Sequence, residues 1–228
     1  ETWYVRDARD QLGHYRLVIG YDDAAQQFIT YDSLHGPDVT IGYQELDELW
    51  RVFNRLYLVA YEPARWDDLA DLLGPDLDDA MMYERALEQA RAEAANPPDS
   101  CVVYADCADW VTFSHFSMGT NLTALGRHAE ATEAYDRARQ LGLHYRMLWY
   151  QFGPYESYYA VGRYEDVIAL ADATLASASN LEESYYWRGK ARLALGDPEG
   201  ARSDFKTALR YHEGWAPAQI ALDELDGS

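Results

Sequence analysis

A motif that recurs three times between residues 112 and 215 constrains the fold of this 228-residue chain more than any other feature. The copies read Leu-Gly-Arg-His-Ala-Glu-Ala, Val-Gly-Arg-Tyr-Glu-Asp-Val and Leu-Gly-Asp-Pro-Glu-Gly-Ala. Their glycines are Gly126, Gly162 and Gly196, so the motif repeats after 36 and then 34 residues. A fixed period of this size indicates stacked supersecondary units. Because Gly tolerates positive φ, each glycine suits the end of one helix and a turn into the next, and we predict helix pairs.

The predicted second helix of each pair carries small or apolar residues at matching positions. The members of a set are four and then three residues apart, which places them on one helix face. Small residues let two helices approach closely, and a larger residue fills the remaining gap. The sets are Ala131, Tyr135 and Ala138, then Val167, Ala171 and Thr174, then Ala201, Phe205 and Ala208.

These residue types at this period resemble the tetratricopeptide repeat. The third copy carries the resemblance best, at Tyr185, Gly189, Gly196, Ala201, Phe205 and Ala208. The second copy has Pro154 and Tyr155 where Leu and Gly are usual, and the first has His115 where an aromatic residue is usual. The resemblance implies a right-handed all-α solenoid with repeats at 112–147, 148–181 and 182–215 and a capping helix at 216–225.

The first helices of such an array line a concave groove that binds a peptide or a partner helix. By this analogy we predict a partner-binding groove rich in aromatic side chains, which would anchor apolar groups of a ligand. The alternative is that some of these side chains pack against the neighbouring repeat. The groove candidates are Phe113, Phe116, Thr120, Trp149, Phe152, Glu156, Tyr159, Glu183, Tyr186 and Lys190.

Residues 1–62 have a different texture and predict a small β-rich module. Runs of β-branched and aromatic residues bounded by turn residues predict strands. An apolar face formed by Leu46, Leu49, Trp50 and Phe53 predicts an amphipathic helix. The predicted strands are 2–5, 14–21, 27–31, 39–41 and 55–61, with the helix at 43–53.

This module resembles the C-terminal half of papain-like cysteine peptidases, in particular the double-glycine-leader type. The run from Gly13 to Asp22, the pair Tyr31-Asp32 and the helix with Trp50 carry the resemblance. It implies that His14 is the general base and that Asp32 orients its imidazole, as a thiol nucleophile requires. The fold class expected for the whole chain is therefore α+β, a small antiparallel papain-like half-domain followed by the solenoid.

The nucleophile that this chemistry needs has no counterpart here. In the family it lies on an N-terminal helix before the His, in a half-domain that we do not find in this chain. The two cysteines of the chain, Cys101 and Cys107, follow the His and match no motif of the family. We therefore expect His14 and Asp32 to be a strand-edge His and a turn-capping Asp, and to be catalytic only if a Cys is supplied elsewhere.

The segment 63–111 connects the two parts. Helices are predicted at 66–74 and 77–95, followed by an insertion at 100–111 that holds Cys101 and Cys107. Their spacing allows either a disulfide, which would mean an oxidising compartment, or two free thiols. A spacing of six residues without nearby His pairs argues against a metal site, and we expect no metal and no cofactor.

The formal net charge of −20 restricts the partners. Phosphate binding needs a basic surface, so nucleic acid and anionic membrane surfaces are poor partners, and no apolar run predicts membrane insertion. The chain starts at Glu1, directly before a predicted strand, and an open sheet edge invites pairing with another chain. We therefore expect protein or peptide partners and a homo-oligomer, either a ring or a filament.

Two functions follow from these features. The first is a non-catalytic protein–protein interaction or self-assembly module. The second is the C-terminal portion of a cysteine peptidase. The absence of an initial Met, the acidic composition and the two cysteines lead us to expect an extracellular or cell-surface location, or otherwise the cytoplasm.

Overall fold

A computed structural model describes residues 2–7, 10–103 and 107–227. Glu1 and Ser228, at the ends of the predicted domains, and residues 104–106 of the predicted insertion lie outside this range. The strands are β1 Thr2–Asp7, β2 Asp10–His14, β3 Arg16–Asp22, β4 Gln27–Asp32 and β5 Gly36–Gly42. The α-helices are α1 Tyr43–Trp50, α2 Trp66–Leu73, α3 Asp79–Ala95, α4 Ala108–Ala124, α5 His128–Gln140, α6 Gly153–Ala160, α7 Tyr164–Ser177, α8 Glu182–Ala194, α9 Pro198–Tyr211 and α10 Ala216–Gly227.

The strands form two antiparallel sheets. One is the β1–β2 hairpin, and the other is a meander in the order β3–β4–β5. A register shift between Val18 and Gly20 places a bulge at Ile19 of β3. Thr30 of β4 and Ile41 of β5 are buried, as are Leu46 and Leu49 of α1, which contacts β5. The amphipathic pattern of α1 thus covers one face of the small sheet.

The predicted strand at 55–61 is absent from the structure. Residues 56–62 have no regular secondary structure, and Leu58 is 91% exposed. A run of β-forming residues becomes a strand only when a neighbouring strand satisfies its backbone groups, and no strand of the described chain pairs with this one. Helix α2 is also without a buried residue. Helix α3 then begins where the Asp78 carboxylate accepts a hydrogen bond from the backbone N–H of Met81.

A buried arginine joins α1 to α3 and α4. Arg51 lies in the 3-10 turn Arg51–Phe53 that continues α1, and it is 4% exposed. Its Nη2 donates to Glu93 of α3 at 2.8 Å and to Ser114 of α4 at 2.7 Å. Its guanidinium lies 3.6 Å from the centroid of the Trp110 ring. Burial lowers the pKa of Arg51, while the opposite charge of Glu93 acts against this shift. A buried charge requires such partners, so this cluster fixes the three elements to one another.

The helices of the repeat segment follow the predicted pattern. Gly126, Gly162 and Gly196 end their helices with φ of 71°, 78° and 83°. From α6 to α10, each helix packs on the next one in chain order. The small-residue faces are buried as predicted, at Ala131, Tyr135, Ala138, Val167, Ala171, Thr174, Ala201, Phe205 and Ala208.

In the middle repeat, the large buried residue lies on the first helix of the pair and the small one on the second, which is the reverse of the other two repeats. In the third repeat, a Cβ on Gly189 would lie 2.7 Å from the ring of Phe205. In the first repeat, a Cβ on Gly119 would lie 2.4 Å from the ring of Tyr135. The middle repeat carries Tyr155 and Ala171 at the same steps of 36 and 34 residues, with the large residue on the first helix. Both are fully buried. The total volume is therefore kept while its placement is reversed.

The same repeat has a short first helix. Helix α6 contains eight residues and begins at Gly153, with Pro154 at its N-terminus. The preceding residues form a separate 3-10 turn, Tyr145–Trp149. Proline has no N–H and a fixed φ, so it starts a helix readily but cannot continue one from upstream.

The described chain divides into two compact units. The first comprises the residues up to Leu125 together with Ala134–Leu143, and the second comprises Gly126–Glu133 and the residues from His144 on. The division falls inside the first predicted repeat. Within the described ranges, no helix is both long enough and apolar enough to cross a membrane.

Candidate functional site

Asp32, at the end of β4, collects hydrogen bonds from several directions in the first unit. His14, the last residue of β2, lies with Nε2 2.9 Å from Asp32 Oδ1. Arg16 Nε donates to Oδ2 at 2.9 Å. The backbone N–H groups of Leu34 and His35 donate to Oδ1 at 2.8 and 3.0 Å. The structure thus brings the two residues of the predicted catalytic pair together, and it adds a turn-capping role for the carboxylate.

The pKa of Asp32 lies well below its ordinary value of 3.8. Burial would raise it, but the hydrogen bonds from the amides of Leu34 and His35 and the hydrogen bond and charge of His14 lower it further than burial raises it. The residue is therefore an anion at neutral pH. A carboxylate in this state can hold an imidazole in one orientation, and it equally serves as a buried structural anchor.

No thiol is available to complete a catalytic set within this chain. The sequence contains two cysteines, and the Sγ atoms of Cys101 and Cys107 are bonded to each other at 2.08 Å. Of the two alternatives that the sequence left open, the structure contains the disulfide. Glu48 lies beside it, and its buried carboxylate accepts hydrogen bonds from the N–H groups of Val102 and Val103.

A cavity of about 300 Å³ adjoins the polar cluster around Asp32. Its wall combines charged groups with apolar side chains from the small sheet and α1. The lining residues are Arg16, Asp32, His35, Val39, Thr40, Ile41, Glu45, Leu49 and Val103. In the described part of the chain, no group of three or more His, Cys, Asp or Glu side chains has the arrangement of a metal site.

The predicted groove residues lie in several different environments. Phe113 and Phe116 of α4 are each 1% exposed, so the structure corrects their assignment from groove to core. Thr120 bonds back to the carbonyl of Phe116 in its own helix. Trp149 and Phe152 lie outside the α-helices, at the end of the 3-10 turn and directly before α6, because α6 starts only at Gly153. Three of the others, Tyr159, Tyr186 and Lys190, lie together in the second unit.

Lys190 is surrounded by three aromatic rings. Its Nζ lies 4.7 Å from the ring centroid of Tyr159, 5.3 Å from that of Trp187 and 5.7 Å from that of Tyr186. We call Tyr159, Tyr186, Trp187 and Lys190 the Lys190 cluster. Its side chains are half-buried, and within the described residues the ammonium of Lys190 makes no ion pair. The faces of the rings stabilise the cation, and the cation holds the rings in place.

Acidic and aromatic side chains border the Lys190 cluster. Glu156 is exposed one turn before Tyr159, and burial raises the pKa of Glu183, one turn before Tyr186. Trp215 extends the aromatic surface, with its ring centroid 5.3 Å from that of Tyr186. Sequence reasoning missed Trp187 and Trp215. Trp187 lies three residues before Lys190 on α8, and this spacing, at which helix side chains are neighbours, could have indicated the contact.

The comparisons with known proteins concern the fold. No protein-family model and no curated protein matches the chain. A solved structure titled MamA RS-1 ArsTM double mutant is similar, with a TM-score of 0.54 at 16% identity over 71% of this chain and 81% of that one. A second, MamA 41-end from Desulfovibrio magneticus RS-1, has a TM-score of 0.47 at 16% identity over 66% and 85%. MamA is a tetratricopeptide-type protein, so the first likeness supports a tetratricopeptide-like fold. The papain-like resemblance of residues 1–62 stays a prediction.

Proposed function

We propose that this protein is a non-catalytic protein-interaction module and that the Lys190 cluster of its second unit binds a segment of a partner protein. The observation that carries the proposal is the group of three half-buried rings around one ammonium, which makes no ion pair within the part of the chain that the structure describes. Such rings offer large apolar contact areas at low cost in side-chain entropy, as binding hot spots do. The ammonium adds a charged donor that a partner carboxylate can accept.

A display selection of random peptides on the purified chain tests this proposal. Enriched peptides are synthesised with a fluorescent label, and their affinities are measured by anisotropy. Trp187→Ala removes one wall of the cluster, and we expect it to weaken binding at least tenfold, since truncating a hot-spot aromatic costs about 2 kcal/mol or more.

The control is Tyr211→Ala, which removes an exposed tyrosine of the same unit that stacks on Tyr185 outside the cluster. We expect this variant to bind like the original chain. Peptides that bind Trp187→Ala as tightly as the original chain, or a selection that enriches no binder, would contradict the proposal.

The proposed role includes contacts between copies of the chain. Such contacts are supported by the exposed apolar strands of the first unit, and the disulfide fits an oxidising, extracellular setting. Both remain proposals. Sedimentation of the purified chain across a range of concentrations tests the first, and fractionation of the producing cells tests the second.

A second candidate function, in a cysteine peptidase, rests on the 2.9 Å contact between His14 and Asp32. It requires a thiol from outside residues 1–228, because both cysteines of the chain are in the disulfide. A thiol-directed active-site probe on the full-length gene product tests it. Labelling that His14→Ala abolishes would favour the peptidase, and absence of labelling would exclude it.

A further inference from the structure

The outer edge of β3 is open. Within the described residues, β3 pairs only with β4, which leaves the backbone groups of its other edge without a strand partner. Its apolar side chains are solvent-exposed, with Leu17 at 58%, Tyr21 at 68%, and Val18 and Ile19 close to half. Soluble proteins normally protect such an edge with charges or cover it, because it is a template for another strand.

The same unit contains a strand-forming segment that has no sheet. Residues 55–62 read Arg-Leu-Tyr-Leu-Val-Ala-Tyr-Glu, a composition that favours β-structure. Leu56, Tyr57, Leu58, Val59 and Tyr61 are all exposed. No backbone–backbone hydrogen bond joins residues 57–61 to any other part of the chain that the structure describes. The unit therefore exposes both a sheet edge and a segment suited to pair with it.

The two sequences complement each other when they run antiparallel. Pairing Arg16 with Glu62 places Leu17 opposite Tyr61 and Ile19 opposite Val59. The same register brings Tyr21 opposite Tyr57 and Asp23 opposite Arg55. Opposite charges then meet at both ends, and apolar side chains meet between them, as cross-strand pairing favours. Arg16 and Arg55 also form ion pairs within their own unit. The charges at the two ends therefore favour the antiparallel direction of pairing more than they increase its affinity.

The net charge of the chain favours association of two copies through these two stretches. Two chains of net charge −20 repel each other over most of their surfaces. The paired stretch 16–23 contains one positive and two negative residues and the stretch 55–62 contains one of each, so their net charges are only −1 and 0. A contact through these two stretches buries apolar surface without bringing further like charges together.

We propose that residues 55–62 of one copy add as an antiparallel strand to the outer edge of β3 of a second copy. This deepens the self-assembly part of the proposed function by naming the two surfaces. Each copy has both surfaces. Two reciprocal pairings therefore form a closed dimer, and successive one-way pairings form an open filament of copies. The bulge at Ile19 lies within the paired stretch and distorts the edge there, which weakens the contact and makes it reversible.

Analytical ultracentrifugation of the full chain tests the proposal. We expect the weight-average mass to rise from monomer between low micromolar and several hundred micromolar concentration, and to rise more steeply in added salt. Ile19→Lys places a charge on the edge, and Val59→Pro removes a strand N–H from the segment. Each should weaken association at least tenfold. Leu72→Lys, at an exposed leucine of α2, is the matched control and should associate like the original chain.

A mixture of Ile19→Lys and Val59→Pro identifies the pairing. Each variant retains the surface that the other lacks, so the mixture should associate more strongly than either variant alone. A labelled peptide of residues 55–62 should bind the Val59→Pro chain but not the Ile19→Lys chain. The proposal is overturned if the original chain stays monomeric at every concentration, or if Val59→Pro associates like the original, which would mean β3-to-β3 pairing. Trp187→Ala should leave sedimentation unchanged, so failure here is distinct from failure of the Lys190 cluster as a binding surface.

Discussion

At the scale of single residues, Asp32 shows how one carboxylate determines local structure. Its side chain is 1% exposed and accepts hydrogen bonds from His14 on β2, from Arg16 on β3 and from the turn after β4. A buried charge is tolerated only when its hydrogen-bonding capacity is filled, and here it is filled from three elements. The arrangement joins the β1–β2 hairpin to the three-stranded sheet.

Asp32→Asn should destabilise the first unit by about 3 kcal/mol at neutral pH, since it leaves Arg16 with a buried charge and no counter-ion. Urea unfolding followed by circular dichroism measures this loss. Asp68→Asn, at the exposed pair with Arg65, is the control and should have little effect.

The stability difference between the original chain and Asp32→Asn should depend on pH. The folded pKa of Asp32 lies below its ordinary value of 3.8, so its stabilising effect is complete above that pH and is lost as the pH falls through the folded pKa. The difference between the original chain and Asp32→Asn should therefore shrink in acid below about pH 4. A difference that grows in this range would show that the carboxylate does not stabilise the fold.

Gly189 lies where α8 closely approaches the ring of Phe205. Gly189→Ala would place its Cβ 2.7 Å from Phe205, so the ring or the helix must move. We expect a loss of about 1–3 kcal/mol, as for other overpacked cores, despite the better helix propensity of Ala. Thermal unfolding measures it. Gly227→Ala, with no atom within 4 Å of its Cβ, is the control and should not destabilise the protein.

At the scale of elements, charged side chains connect the repeat helices in addition to the packing of the small-residue faces. Arg188 of α8 donates to Asp204 of α9 at 2.6 and 3.0 Å and to Asp172 of α7 at 2.6 Å. Arg192 donates to the same Asp204 at 2.8 Å. These bonds, first among them the one to Asp204, raise the pKa of Arg188 above its ordinary value. Arg188 thereby joins three successive helices, and the buried carboxylate of Asp204 connects α8 to α9.

Asp204→Asn should destabilise the second unit by about 3 kcal/mol, because two arginines lose a buried counter-ion. Asp172→Asn removes only the exposed partner of Arg188 and should have a much smaller effect. Denaturant unfolding of both variants gives the comparison. Equal losses from the two changes would contradict a dominant role for Asp204.

At the scale of the whole molecule, the charge is the main feature. The chain has 39 acidic and 19 basic residues, and many of its ion pairs lie at the surface. Repulsion among the excess carboxylates favours expansion, and salt screens it. Stability should therefore increase with ionic strength although individual surface ion pairs weaken.

Raising the salt from low to physiological concentration should stabilise the protein by about 1 kcal/mol, which corresponds to about 2–4 °C in melting temperature for a chain of this length. Differential scanning fluorimetry across a salt series measures the shift. The same series near pH 4, where carboxylates begin to be protonated, is the control and should show a smaller shift. A melting temperature that falls with added salt at neutral pH would show that the surface ion pairs outweigh the repulsion among the carboxylates.

Periodicity determined much of the repeat segment by itself. The glycines at 126, 162 and 196 and the small residues four and three apart predicted helix ends and buried faces, because these features follow from local sterics. The sequence also predicts the contact of His14 with Asp32, through the resemblance of the strands that carry them to those of papain-like peptidases. The helix ends and buried faces concern residues whose environment depends mainly on the residue types close to them in sequence, whereas the His14–Asp32 contact joins two sheets.

Only the tertiary structure decided which apolar residues are covered. Leu58 and Phe113 are both suited to burial by composition, yet one is exposed and the other lies in the core, because burial depends on which elements meet. The strand expected at 55–61 has no partner strand within the described chain, and the ring of Tyr159 joins Lys190 only because α6 approaches α8. The sequence predicts the elements from local preference, whereas the partners of each element are set by packing between residues far apart in the chain.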